Sequence, residues 1–164
     1  MSIPPPTPNI GQSVFARLLN IAKQSGETHQ YLLTRYAIER LLYRLSASEY
    51  RDQFILKGGI LLQAWQGQNH RTTRDVDFLG IGTSKIAEIQ QIFKAICLTS
   101  VPNDGVQFLT DQLKAQEIME HKRYGAFVSR SSPKSIVPNK LSKWILGLVI
   151  LSRQPAKNWS IRPI

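Results

Sequence analysis

Two short stretches carry the residues with chemical potential: Leu56-Lys57-Gly58-Gly59 and Arg74-Asp75-Val76-Asp77-Phe78, with 15 residues between Gly59 and Asp75. Asp75-Val76-Asp77-Phe78-Leu79 reads as a strand. Alternation then sends both carboxylates to one face and Val76 and Phe78 to the other. Two carboxylates side by side repel unless a cation sits between them. Hard oxygen donors select Mg²⁺ or Mn²⁺, and such a metal also grips the phosphates of a nucleotide. Gly58-Gly59 falls between a strand and a helix. Glycine there lets the backbone approach a phosphate, and the free amides and dipole of the helix N-terminus favour the anion. Both halves suit one task, holding a nucleoside triphosphate through its phosphates and a divalent metal. Singly each half is weak, since a Gly-Gly is usually a plain turn and an Asp-x-Asp is as often a solvated strand face. Their order and spacing make the combination specific.

The flanking residues leave alternatives open. Lys57 either touches a phosphate or points to solvent from the strand end. Arg74 pairs with the carboxylates or with the triphosphate, whereas Arg71 reads as a loop residue. His29, His70 and His121 lack metal-ligand spacing and are expected at exposed polar positions. Tyr31, Tyr36 and Tyr43 among arginines could stack on RNA, but a face packed on the core is the stronger reading. Cys97 closes an apolar helix stripe and is expected to be a small core residue.

The elements that must position these residues follow from periodicity. A helix starts after Ser13 as N-cap, carries Val14, Leu18, Ile21 and Ala22, and stops at Gly26. A second runs from about Thr28 to Leu45, with Leu33, Ala37, Leu41 and Leu45 on one face and Arg35, Glu39, Arg40 and Arg44 around the rest. Gln53–Lys57 is a strand, Ile60–Gln66 a short helix stopped at Gly67, and residues 68–73 a loop. After the Asp75–Leu79 strand, Thr83 or Ser84 caps a helix that buries Ile86, Ile89, Phe93 and Ile96. Val106–Leu109 and Gln116–Tyr124 are weaker strands. The alternation predicts an α/β (α+β) sheet covered by helices, with two helices at the front.

Charge is unevenly spread over the 164 residues. The net charge is +10, yet all 11 acidic residues lie between Glu27 and Glu120, against 12 basic ones in residues 1–120. Residues 121–164 add 9 basic residues and no acid. The expected organisation is a proline-rich arm (1–12), a near-neutral domain (13–126) and a basic tail (127–164). Two readings of the tail compete: a segment that grips RNA phosphates, or an out-of-frame translation ending at an early stop. The abruptness of the change favours the second. The opening residues resemble neither a signal nor a transit peptide, no run is long enough for a membrane span, and a single cysteine excludes an intrachain disulfide. The expected location is the cytoplasm.

The run Phe54-Ile55-Leu56-Lys57-Gly58-Gly59, with Arg71-Thr72-Thr73-Arg74-Asp75-Val76-Asp77-Phe78, resembles the AbiEii/AbiGii toxin branch of the polymerase-β-like nucleotidyltransferases. The Arg-rich helix at 36–45 and Tyr124-Gly125 are similar to that branch too, so the resemblance spans about residues 13–126. It implies a mixed sheet flanked by helices and an enzyme that transfers NMP from an NTP, with tRNA ends as acceptor in characterised relatives. It implies Asp75 and Asp77 as catalytic ligands of Mg²⁺ or Mn²⁺, and Lys57, Gly58, Gly59 and Arg74 as nucleotide-binding. It further implies a toxin of a type IV toxin–antitoxin or phage-abortive-infection system, with a cognate antitoxin encoded nearby. The superfamily places a third carboxylate on a later strand, as the base that activates the acceptor. This chain has no Asp or Glu after Glu120, and Glu117 and Glu120 look like a solvated strand face rather than substitutes. A truncated, inactive copy that only binds nucleotide or RNA is therefore an alternative. A nucleotidyltransferase acting on a small molecule such as an antibiotic is another.

Overall fold

The computed structural model describes residues 9–66, 76–82, 85–113, 115–120, 123–128, 143–144 and 149–153. Residues 1–8, residues 67–75 and most of the tail lie outside that set. Helix α1 (Ile10–Ser25) is capped by Asn9, whose side chain accepts the Gln12 amide, and ends at Gly26 with φ 75°. The start expected at Ser13 is one turn late. Asn caps as well as Ser, and Ser13 is already inside the helix, its amide donating to the Asn9 carbonyl at 3.1 Å. The helix thus takes in residues 10–12, which sequence reading gave to the arm.

Helix α2 (His29–Ser46) starts from Thr28, which accepts the Tyr31 amide. Leu33, Ala37, Leu41 and Leu45 are all buried, as their four-residue step requires. Two clusters result. Ala22 of α1 packs with Tyr31 and Leu32 of α2. The larger core joins Ile38, Leu41 and Leu45 to the sheet and to α4 (Ile86–Leu98). Helix α4 contributes Ile89, Phe93, Ile96 and Cys97. Its N-cap is Lys85, without a side-chain capping bond; Thr83 and Ser84, the expected caps, lie outside the described residues.

Strand β1 (Phe54–Lys57) runs straight into helix α3 (Gly58–Gln66), and β2 (Val76–Gly80) follows. The strands β3 (Gln107–Phe108), β4 (Ala115–Glu120), β5 (Arg123–Val128), β6 (Lys143–Trp144) and β7 (Val149–Arg153) complete the described strands. The main sheet has the order β1-β2-β7-β5-β4, and β3 pairs with β6 separately. β2 and β7 are parallel and the other neighbours in the main sheet antiparallel, so the sheet is mixed. The α/β (α+β) expectation, with two helices leading, holds.

Two differences from the sequence reading have physical causes. The single strand expected at Gln116–Tyr124 is a hairpin of β4 and β5, with Glu120 opposite Arg123. The intervening His121-Lys122 lacks the Gly or Asn that marks a two-residue turn, so nothing in the local sequence marks the break. The tail supplies β7, which sits between β2 and β5 through pairings with residues over 20 positions away. Such pairings leave no mark in local periodicity.

Phe54, Phe78 and Phe93 meet edge-on or tilted where the sheet meets α4, with ring centroids 5.2 to 6.3 Å apart. Val76 and Phe78 are buried on that face, and Phe54 and Leu56 pack against the same core. Ile55 and Lys57 are exposed, and Asp77 shares their face.

Candidate active site

The turn from β1 into α3 is built on Gly58, whose φ is 73°. That left-handed conformation is readily open to glycine and disfavoured for side-chain-bearing residues. A second constraint acts at the same atom. A Cβ on Gly58 would run into the Asp77 carboxylate oxygen, with Asp77 Cγ at 3.0 Å and Cβ at 3.2 Å. Asp77 comes this close because β1 and β2 pair antiparallel, with Lys57 opposite Asp77 and Leu56 opposite Phe78. The carboxylate therefore lies against the residue that opens α3, at the positive end of its backbone dipole.

Three of the sequence-predicted residues, Lys57, Gly58 and Asp77, are thus brought together, with Gly59 next in the chain and half-buried. Asp75 and Arg74, with Arg71, lie outside the described residues. Among the described residues, no group of three or more His, Cys, Asp or Glu side chains gathers. The described part of the donor set is one hard carboxylate set against a glycine whose missing side chain makes room for it. This chemistry fits a divalent cation carrying phosphates, with Asp75 two positions away on the chain. On the other side of β2, Asp77 pairs in register with Ile150 of β7. The strand beside the Asp-x-Asp strand therefore presents Val149-Ile150-Leu151-Ser152-Arg153, without a carboxylate.

Behind the sheet lies a polar device that sequence reasoning missed. Arg44, expected on the exposed side of α2, is buried. Its guanidinium donates to both carboxylate oxygens of Asp104, at 2.8 and 3.1 Å, and to the Val106 carbonyl at 3.1 Å. It also lies over the Phe108 ring, 5.0 Å from the centroid. The Tyr36 hydroxyl donates to the Asp104 carbonyl at 2.8 Å, and burial pushes its pKa up, opposed by Arg40. A signal existed: Arg44 stands three residues after Leu41 and seven after Ala37, on the apolar stripe itself. Its partner lay hidden in Asn103-Asp104-Gly105, where Asn103 and Asp104 also accept backbone amides as turn formers do. The pair ties the loop after α4 to α2. Gly105 presses on α1 as well, since a Cβ there would meet Gly11 Cα at 2.8 Å.

Other expectations divide. Cys97 is buried, and burial pushes its thiol up to about 12. His29 is not an exposed polar residue: its ring meets Phe15 edge-on at 4.4 Å, and its buried Nε2 has no hydrogen-bond partner among the described residues. Tyr31 is buried, whereas Tyr43 is half-exposed beneath the Arg40 guanidinium, 5.3 Å from its ring centroid. His70 and His121 lie outside the described residues.

The family model described as nucleotidyl transferase AbiEii toxin, type IV TA system, matches residues 40–135, more than half of the chain. The chain belongs to the AbiEii nucleotidyl transferase toxin family. The match begins within α2 and takes in β1, the Gly58-Gly59 turn, Asp75, Asp77 and the β4–β5 hairpin; α1, β6 and β7 fall outside it. Membership makes this a toxin-type nucleotidyltransferase domain, a class whose general substrates are an NTP with a divalent metal. No curated protein and no solved structure matches the chain. Among the described residues, no helix is long and apolar enough to cross a membrane.

Proposed function

We propose that this AbiEii-family domain binds a metal–nucleoside triphosphate complex at the Gly58–Asp77 junction and transfers NMP to an RNA acceptor, with tRNA as the acceptor to test first. The observation that carries this reading is the Asp77 carboxylate set against Gly58 at the start of α3. Asp77 and Asp75 would hold Mg²⁺ or Mn²⁺, which supplies positive charge to a triphosphate and to the phosphorus under attack. Gly58 and Gly59 let the backbone approach the β- and γ-phosphates, and Lys57 and Arg74 offer cations to the same oxygens. An acceptor hydroxyl attacking the α-phosphorus forms one P–O bond, breaks another to pyrophosphate, and must shed its proton. The register puts Ile150 beside Asp77, so this chain offers no carboxylate for that proton on β7. Losing general-base assistance costs roughly two to four orders of magnitude in rate. Transfer is therefore slow, while nucleotide binding is retained. The same proposal includes a toxin role in the cytoplasm, in a type IV toxin–antitoxin or abortive-infection pair with a neighbouring antitoxin, a reading supported by membership of a toxin family.

The assay is transfer of labelled nucleotide from each NTP to total tRNA by the full chain with Mg²⁺. Label that appears on tRNA, and is lost with Asp77→Ala, with Asp75→Ala or with a chelator, supports the proposal. The Ile150 register favours a second reading, a binder of nucleotide or RNA that does not transfer. It predicts nucleotide binding without label on tRNA, and RNA affinity that falls steeply with salt as the basic residues after Glu120 release counterions.

A further inference from the structure

The two strands that build the site also place a cation across from its described carboxylate. Lys57 is the last residue of β1 and Asp77 its antiparallel partner on β2. Both lie on the face away from the core, whose alternate positions are filled by Leu56 and Phe78. Directly opposed residues of an antiparallel pair have Cβ atoms about 4.5–5.5 Å apart, within reach of a four-carbon lysine stem. Lys57 is exposed and Asp77, directly across from it, is half-buried. A lysine–carboxylate pair open to solvent on its lysine side contributes little stability and opens at little cost. Lysine also suits two alternate partners, because its charge is compact, flexible and not tied to a bidentate geometry.

We propose that Lys57 is a displaceable counter-ion. Resting on the metal–nucleotide reading above, its ammonium neutralises Asp77 while no metal is bound and moves to triphosphate oxygens when the metal–nucleotide complex arrives. Lys57 thereby sets the order of loading. A metal ion arriving alone competes with the ammonium for Asp77. A metal arriving with its triphosphate gives the displaced ammonium a new anion, so the complex is preferred over the bare ion.

The test titrates the full chain with Mn²⁺ alone, followed by electron paramagnetic resonance of the free ion, and separately with each Mg–NTP by calorimetry. Lys57→Gln and Lys57→Met are expected to tighten Mn²⁺ by roughly two- to fivefold, the size of one exposed charge pair, and to weaken Mg–NTP. Lys57→Arg, which keeps the charge, should leave Mn²⁺ affinity near wild type. Effects of opposite sign on the two ligands support the counter-ion role. Unchanged or weaker Mn²⁺ binding in both neutral variants overturns it. Asp77→Asn separates the two failures. If it abolishes Mn²⁺ binding while the Lys57 variants change nothing, only the Lys57 assignment falls. If it leaves wild-type Mn²⁺ binding intact, the metal reading falls and the counter-ion with it.

Discussion

The Asp77 carboxylate occupies the space that a side chain on Gly58 would need, and Gly58 adds to this a φ of 73°. One glycine therefore serves the turn into α3 and the placement of the acid together. Gly58→Ala faces two separate penalties: about 1–2 kcal/mol for the left-handed conformation, and displacement of Asp77. We expect lower stability in urea and loss of Mg–NTP binding. Pairing it with Asp77→Gly, which removes the obstructing carboxylate, should restore much of the steric part of the stability and none of the binding. Equal destabilisation of Gly58→Ala with and without Asp77 would show that the close approach is unimportant.

Arg44 and Asp104 form a pair with side chains only 6% and 8% exposed. Removing one partner strands the other charge in the interior, at about 3–5 kcal/mol. Arg44→Met should therefore be strongly destabilising in equilibrium denaturation, and Asp104→Asn nearly as much. The double variant should cost less than the two single effects added, because neither charge is then left alone. Additivity within ~0.5 kcal/mol would remove the ion pair as a unit of stability.

The Cys97 thiol is raised from 9.0 to about 12 by burial. In the unfolded chain it ionises first, so the folded protein holds the extra proton between those values. Stability tied to this group is complete below pH 9 and falls as pH rises toward 12. The raised Tyr36 hydroxyl adds a loss of the same sign above its ordinary value of 10.0. Cys97→Ala should flatten the wild-type decline by roughly 1 kcal/mol per pH unit above pH 9, read from urea midpoints at pH 8 to 11. A thiol reagent at pH 8 should label the wild type only once it unfolds. Parallel pH profiles, or rapid labelling of the folded chain, would contradict this account.

Local periodicity was enough for the parts of this protein whose causes are local. The four-residue step from Leu33 to Leu45, the stripe from Ile89 to Cys97 and the alternation around Val76 and Phe78 each declare a buried face, because a helix or strand repeats its facing residues at short, constant intervals. Gly58-Gly59 before Asp75-Val76-Asp77 stands out in the sequence as a candidate nucleotide and metal motif, and the family match spans the same residues. What tertiary structure decided depended on partners far along the chain. Arg44 looked like one more surface arginine until Asp104, 60 residues away, came within 2.8 Å. The role of Val149–Arg153 was invisible until pairing put Ile150 beside Asp77. The contact between Asp77 and Gly58 needed the β1–β2 register, which brings together residues 19 positions apart. A sequence states which faces are apolar and where the backbone can turn; which distant charge or strand meets them is settled only when the packed chain satisfies buried groups and sheet edges together.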